Sequence, residues 1–270
     1  MNTIKLICSD IDGTLLNSQK QINDEDKKWI QKAWYEKHIP FALVSGRFRN
    51  GVTGLQKELG LNSPLSCFNG AYVEFEGAVL KDEPMDYTLI SSLLKQLSPF
   101  HNIPVIFSLD KWYMQEDGYW AEVQRTMCPS EGIFGPFDDF FTKNAQDKPY
   151  KFVLKNKDTA VINKTFAWLK EQNNPSIDCF LSAPNLLEVV NKGTHKGSTI
   201  HTFAQYFHID KENIMAFGDY NNDVEMIHKA GYGIAMGNAV KEVKDVAFDI
   251  TDTNDNCGIA QAIKKYIFHM

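Results

Sequence analysis

Two aspartates on alternate positions, Asp10 and Asp12, close the mostly apolar run Ile4-Lys5-Leu6-Ile7-Cys8 and are followed by Gly13 and Thr14. Far along the chain, Gly218-Asp219-Tyr220-Asn221-Asn222-Asp223 again sets two aspartates behind an apolar run, here Ile214 to Phe217. Between them lie Ser45-Gly46-Arg47, after Phe41 to Val44, and Lys196, which sits before an apolar-striped segment. Four carboxylates gathered in one place repel one another unless a hard cation sits among them. Ligands that are all oxygen select Mg²⁺, and phosphate can fill the positions that the protein leaves open. Ser45 and Lys196 are suited to hold phosphoryl oxygens. A metal, a lysine, a hydroxyl and an unencumbered carboxylate are together what phosphoryl transfer to an aspartate requires.

These residues share one kind of position. Ile4 to Ser9, Phe41 to Val44, Leu65 to Phe68 and Asn213 to Phe217 are short, mostly apolar runs, the pattern of parallel strands covered on both faces. Each ends in polar residues, the third in Asn69-Gly70-Ala71. Open α/β sheets bind ligands at the carboxyl ends of such strands. A helix is expected from Asn23 as cap, with Trp29, Ile30, Ala33 and Trp34 as its apolar stripe and Pro40 ending it. Further helices are expected over Thr53 to Leu59, from Gly197 through Ile200, Phe203 and Phe207, from Val224, and over Ile259 to Ile267, with strands at Tyr232 to Met236 and Phe248 to Ile250.

From Met85 to Leu187 the texture changes. Helices are expected at Leu89 to Leu97 and Ala160 to Lys170, and strands at Pro104 to Phe107, Trp112 to Gln115, Tyr150 to Leu154, Ile177 to Leu181 and Leu186 to Val190. That order predicts a small antiparallel sheet with helices on one face. Pro129 to Lys148 shows no clear periodicity. The fold expectation is therefore α/β: a Rossmann-like, doubly wound parallel-sheet core over 1–84 and 188–270, interrupted by an inserted α+β cap over 85–187.

With 270 residues and 43% hydrophobic content the chain can bury a sizeable core. A net charge of -6 argues against general binding to nucleic acid or anionic membrane, so an anionic ligand must be held locally. No apolar run approaches a membrane span, the 5 cysteines form no CxxC pair, and the short stretch ahead of Asp10 leaves no room for a leader, so a cytoplasmic setting is expected.

Asp10-Ile11-Asp12-Gly13-Thr14, Ser45-Gly46-Arg47, Lys196 and Gly218 to Asp223 resemble, in that order, the four motifs of the haloacid dehalogenase superfamily. The long insert after the second motif, with Asn69-Gly70-Ala71 ahead of it, resembles the Cof-type sugar-phosphatase subgroup with its C2B-type cap. The resemblance implies a Mg²⁺-dependent phosphatase acting on small phosphate monoesters such as sugar phosphates, flavin mononucleotide or pyridoxal phosphate. Asp10 is then the nucleophile and Asp12 the general acid and base. Asp10, Asp219 and the Asp12 carbonyl become Mg²⁺ ligands, with Asp223 binding a metal-bound water or orienting Lys196. Ser45 and Lys196 hold the phosphoryl group; Gly46, Arg47, Asn69 and Asn222 lie on the substrate side, and Thr14 braces the Asp10 loop. The cap selects the substrate. Tyr220 stands where the subgroup often has glycine, which points to an entrance or substrate contact. A phosphomutase using the same phosphoaspartate and a sugar-phosphate-sensing module are the alternatives; the intact Asp12 argues against the second. Trp112, Tyr113, Tyr119 and Trp120 are read as cap core rather than a ligand platform, and His195 as a bystander.

Overall fold

The computed structural model describes residues 3–127, 130–142 and 147–270. The chain divides into two compact units, one of residues 1–47, 52–82 and 195–270, the other of residues 48–51 and 83–194. In chain order the elements are β1 (Leu6–Ser9), α1 (Asp24–Lys37), β2 (Phe41–Val44), α2 (Asn50–Leu59), β3 (Leu65–Cys67), β4 (Tyr72–Phe75), β5 (Ala78–Asp82), α3 (Tyr87–Leu97), β6 (Ile103–Ser108), β7 (Trp112–Met114), α4 (Tyr119–Met127), β8 (Gly132–Phe134), α5 (Phe137–Phe141), β9 (Pro149–Lys155), α6 (Thr159–Gln172), β10 (Ile177–Ala183) and β11 (Leu186–Asn191). They continue with α7 (Gly197–Phe207), β12 (Ile214–Gly218), α8 (Val224–Lys229), β13 (Tyr232–Ala235), α9 (Lys241–Val246), β14 (Asp249–Ile250) and α10 (Gly258–Ile263), whose end widens into a π-helical turn, Lys264–Phe268. No helix among the described residues is long and apolar enough to cross a membrane.

The first unit is built on an eight-stranded sheet in the order β14-β13-β12-β1-β2-β3-β4-β5. Strands from β14 through β3 run parallel, and β4 and β5 are antiparallel. Every residue of β1, β2, β3, β12 and β13 is buried, which is why those runs are continuously apolar rather than alternating. β1 lies between β12 and β2, with Ser9 level with Phe217 on one side and Leu43 on the other. The chain winds outward from β1 in both directions, so the switch point falls beside Asp10.

The apolar runs predict no strands at β4 and β5. Their exposed, charged stretch, Glu74 to Asp82, carries little apolar signal and folds as an edge hairpin around Glu76 and Gly77, both with positive φ. The short helices α4 and α9 also lack an expected counterpart. Asn23 stands at the start of α1 as expected, but its side chain does not cap the helix. It donates instead to the Asn254 carbonyl at 2.6 Å and accepts from Asn17 at 2.9 Å. Asp24, Glu25 and Asp26 complement the positive end of the helix dipole, and His38, in the left-handed region, closes it.

The second unit holds a six-stranded sheet in the order β10-β11-β9-β6-β7-β8. It is antiparallel except for β7 and β8, which pair in parallel, against the expectation of a wholly antiparallel sheet. Ile106, Phe152, Leu154, Leu187 and Val189 from the strands pack in one cluster with Ile90 and Leu97 of α3 and Ile162 and Leu169 of α6. Trp112 and Tyr113 are fully buried, whereas Tyr119 is exposed with the Lys157 ammonium 3.7 Å from its ring centre. β11 straddles the boundary placed between 187 and 188: it hydrogen-bonds to β9 and β10 along its length and belongs wholly to this unit. Of the irregular stretch Pro129 to Lys148, β8 and α5 are ordered elements, while 129 and 143–146 lie outside the described residues.

One buried charge in the first unit has a role in the fold. Asp26 is fully buried and accepts the Ala260 N–H at 2.7 Å, supplying an acceptor to the first turn of α10. Burial dominates its environment and lifts its pKa to about 6 despite that bond and a weaker one from Asn23. A carboxyl with a raised folded pKa contributes its stability below the unfolded value and loses it as pH rises through the folded one, here about 6. Asp26→Asn keeps an acceptor oxygen and removes the charge. Between pH 4 and 7 the wild type should therefore lose about 2 kcal/mol relative to the variant, at about 1.4 kcal/mol per pKa unit, in paired denaturant titrations. Parallel curves for the two proteins would show that Asp26 carries no such linkage.

Candidate active site

The carboxyl end of β1 delivers Asp10, and the end of β12 delivers Asp219. Asp10 continues the ladder, its N–H donating to the Phe217 carbonyl at 3.0 Å. The chain then turns at Gly13, where φ is +84°, a region open mainly to glycine. A Cβ there would fall 2.4 Å from the Asp219 carboxylate, so glycine is needed for the close approach as well as for the turn. Thr14 donates from Oγ1 to Asp219 Oδ1 at 2.8 Å and ties the loop after β1 to the loop after β12.

Lys196, at the start of α7, is buried and places Nζ between two carboxylates, 2.5 Å from Asp10 Oδ1 and 2.7 Å from Asp223 Oδ1. The other oxygen of Asp223 accepts the N–H groups of Asp219 and Tyr220, each at 3.0 Å. Asp223 thus orients Lys196 and shapes the turn that carries Asp219. Lys196 is held there by the third strand as well. Asn69 and Gly70 after β3 both adopt positive φ, and a Cβ on Gly70 would meet Ser198 and Thr199 of α7 at 2.7 and 3.0 Å. Ser66 and Thr199 share a hydroxyl hydrogen bond at 2.9 Å.

One carboxylate oxygen from each of Asp10, Asp219 and Asp223 lies within 4.8 Å of the other two. Burial is the strongest influence on Asp10 and raises its pKa; Lys196 opposes it, Asp223 and Asp219 reinforce it, and the result stands well above the ordinary range. Asp219 rises to about 6, again through burial first, offset by the Thr14 bond and reinforced by Asp223. Burial works against the charge on Lys196, but Asp10 and Asp223 outweigh it and raise its pKa above the ordinary value. Three carboxylates against one ammonium, all with oxygen donors, are a set that fits a hard divalent cation.

Asp12 faces a different environment. Its side chain keeps 43% of its exposure and lies outside the three-carboxylate group. Arg47 grips it in a fork, Nε to Oδ2 at 2.8 Å and Nη2 to Oδ1 at 2.7 Å, and Lys20 Nζ reaches Oδ1 at 3.1 Å. Partial burial pushes the Asp12 carboxyl up, but the bonds and charges of Arg47 and Lys20 outweigh it and hold the pKa below the ordinary value. Lys20 is absent from the expected set, since a lysine in a polar loop carries no pattern that marks it.

Ser45, buried, accepts the Arg47 N–H on Oγ at 3.1 Å and, through its carbonyl, the Asn69 N–H at 2.9 Å. Asn69 is buried with its side chain against Gly46, where a Cβ would come 3.1 Å from Oδ1, and Asn222 donates to that oxygen at 3.4 Å. The expected residues Asp10, Lys196, Asp219, Asp223 and Thr14 are therefore linked in one chain of contacts; Ser45, Gly46, Asn69 and Asn222 form a second, and Arg47 joins that group to Asp12. Tyr220 is 51% exposed.

Residues 7–263 match the model of the haloacid dehalogenase-like hydrolases. A Bacillus subtilis (strain 168) protein named 5-amino-6-(5-phospho-D-ribitylamino)uracil phosphatase YcsE is 30% identical over 265 residues, which cover 98% of this chain and 96% of that one. Pyridoxal phosphate phosphatase YbhA of Escherichia coli (strain K12) is 26% identical over 276 residues, covering 98% and 99%. The crystal structure of a haloacid dehalogenase-like hydrolase from Bacteroides thetaiotaomicron superposes with a TM-score of 0.87 at 25% identity, over 97% of this chain and 99% of that one.

The charge imbalance around Lys196 has a measurable consequence. Removing one carboxylate charge should relieve repulsion in the metal-free protein, so Asp219→Asn should unfold roughly 2–4 °C higher for each kcal/mol relieved. Added Mg²⁺ should raise the wild-type Tm progressively and leave that of Asp219→Asn unmoved. A wild-type Tm indifferent to Mg²⁺, or a metal-free variant less stable than the wild type, would contradict this reading of the carboxylate group.

Proposed function

The chain belongs to the haloacid dehalogenase-like hydrolases, and from that premise we propose that it is a Mg²⁺-dependent phosphatase of small phosphate monoesters that works through an aspartyl-phosphate on Asp10. The observation that carries the proposal is the Lys196 ammonium shared by Asp10 and Asp223 inside a group of three convergent carboxylates. An oxygen of Asp10 attacks phosphorus as the bond to the ester oxygen breaks, and Asp12 gives that leaving oxygen its proton. Asp12 then takes a proton from a water whose oxygen attacks phosphorus, the bond to Asp10 breaks, and inorganic phosphate leaves. Asp10, Asp219 and the Asp12 carbonyl would hold Mg²⁺, which when bound offsets negative charge between the phosphoryl oxygens and the carboxylates. Lys196 stabilises the charge that grows on the transferring group, and Ser45 and Asn69 bind its oxygens. Asp223 acts through Lys196 and the turn after β12.

Relatives named for pyridoxal phosphate and for a ribitylaminouracil phosphate support a phosphorylated metabolite as substrate. Selection among such metabolites is assigned to the second unit. The test is phosphate release over a panel of sugar phosphates, flavin mononucleotide, pyridoxal phosphate and p-nitrophenyl phosphate. At least one ester should be hydrolysed, and Asp10→Asn or chelation of Mg²⁺ should each lower kcat/KM by about 10³-fold or more. Full activity without metal, or in Asp10→Asn, would overturn the assignment. Asp12→Ala should reduce kcat/KM, which reports on transfer to Asp10, far more for esters with poor leaving groups than for p-nitrophenyl phosphate, whereas equal losses of kcat/KM would remove Asp12 from the acid role.

A further inference from the structure

Lys20 lies in a turn that the protein holds in place from several sides. Its N–H closes the turn on the Asn17 carbonyl at 2.9 Å, and Asn17 Oδ1 accepts the N–H groups of Gln19 and Gln21, each at 3.0 Å. Ser18 donates from N and Oγ to the two oxygens of Asp255, both at 2.7 Å, and the Leu16 carbonyl accepts from Asn254 at 2.9 Å. Leu16 also bridges Asp12 on one side and Ile22 on the other, so the turn is anchored directly to the loop that carries Asp12. Against this bracing Lys20 itself adopts φ of 62°, a conformation that is unfavourable for a non-glycine residue and persists where the surroundings impose it. The result is an ammonium delivered to Asp12 Oδ1, beside the Arg47 fork.

An isolated surface lysine gains little from an ion pair, because ordering its long side chain offsets the attraction. Here the carboxylate is already oriented by a bidentate arginine and the lysine backbone by the turn, so less freedom remains to be lost. We propose that Lys20 is a positioning residue for Asp12: it secures the Oδ1 edge of a carboxylate whose two oxygens Arg47 grips, and so fixes the direction in which Asp12 meets the leaving oxygen of the ester. Lys20 acts on Asp12 and not on the phosphoryl group, which Lys196 and Ser45 serve. This inference rests on the phosphatase reading above, because it assigns Asp12 the protonation of the leaving group.

The two readings separate in one set of assays. Wild-type turnover of the whole panel above is measured first with Mg²⁺, and p-nitrophenyl phosphate and the alkyl phosphate hydrolysed best are then compared in Lys20→Ala and Lys20→Arg, each checked by thermal unfolding for a retained fold. Lys20→Ala should lower kcat/KM for that alkyl phosphate, whose leaving oxygen needs a proton, by about fivefold, with kcat/KM for p-nitrophenyl phosphate within about twofold of wild type. Lys20→Arg should recover most of the loss. Absence of any wild-type turnover would sink the phosphatase reading and this inference together. If the wild type is active, equal losses of kcat/KM on both esters, or no loss at all, would overturn the role given to Lys20 and leave the phosphatase reading standing.

Discussion

The Lys196 ammonium, buried between Asp10 and Asp223, is the interaction on which the rest of the site depends. A charge sequestered from water is tolerated only when it is paired and hydrogen-bonded, and removing one partner leaves the other stranded. Three parts of the chain must converge for the pairing to exist: β1 for Asp10, the turn after β12 for Asp223, and the start of α7 for Lys196. The close passage of Gly13 over Asp219 and of Gly70 over α7 follows from that convergence. Even so, one ammonium does not balance three carboxylates, and the surplus of negative charge is what suits the site to a cation and an incoming phosphoryl group.

Asp10 and Asp12 are two residues apart and meet opposite fields. Asp10 is enclosed with other carboxylates, which raises its pKa, while Asp12 faces solvent between Arg47 and Lys20, which lowers it. In the protein alone this order is the reverse of the one catalysis needs, where Asp10 attacks ionised and Asp12 carries a proton. A cation beside Asp10 and a phosphate dianion beside Asp12 would each shift its neighbour in the required direction. The proposed chemistry therefore depends on ligands to complete the electrostatics, which keeps the acid and the nucleophile from being armed until metal and ester are both bound.

Much of this was legible in the chain because parallel strands mark themselves. Buried on both faces, β1, β2, β3 and β12 stand out as apolar runs, and the polar residues behind them fall where such a sheet gathers a ligand. The Lys20 contact was not legible, since it arises from a turn braced by Asn17, Asn254 and Asp255, residues spread over most of the chain. The edge hairpin of β4 and β5 escaped for the converse reason: its strands are half exposed and charged, so no periodic apolar signal betrays them. Asn23 occupies the position that its type predicts, yet a tertiary contact with Asn254 claims the side chain that would have capped α1. The boundary at 187 cut through β11 because residue texture changes gradually there, while strand pairing ends abruptly.

The central claim is that Asp10 forms a covalent bond to phosphorus, and trapping that bond tests it most directly. Asp12→Ala should slow release of the phosphoryl group from Asp10, because the attacking water loses its base. Mixed with p-nitrophenyl phosphate and Mg²⁺ and quenched in acid, this variant should carry one phosphoryl group on the peptide that contains Asp10, as located by mass spectrometry. The same treatment of the Asp10→Asn protein should leave the peptide unmodified. Release of p-nitrophenol with no phosphoryl group on the protein, or with the group on another residue, would contradict the account.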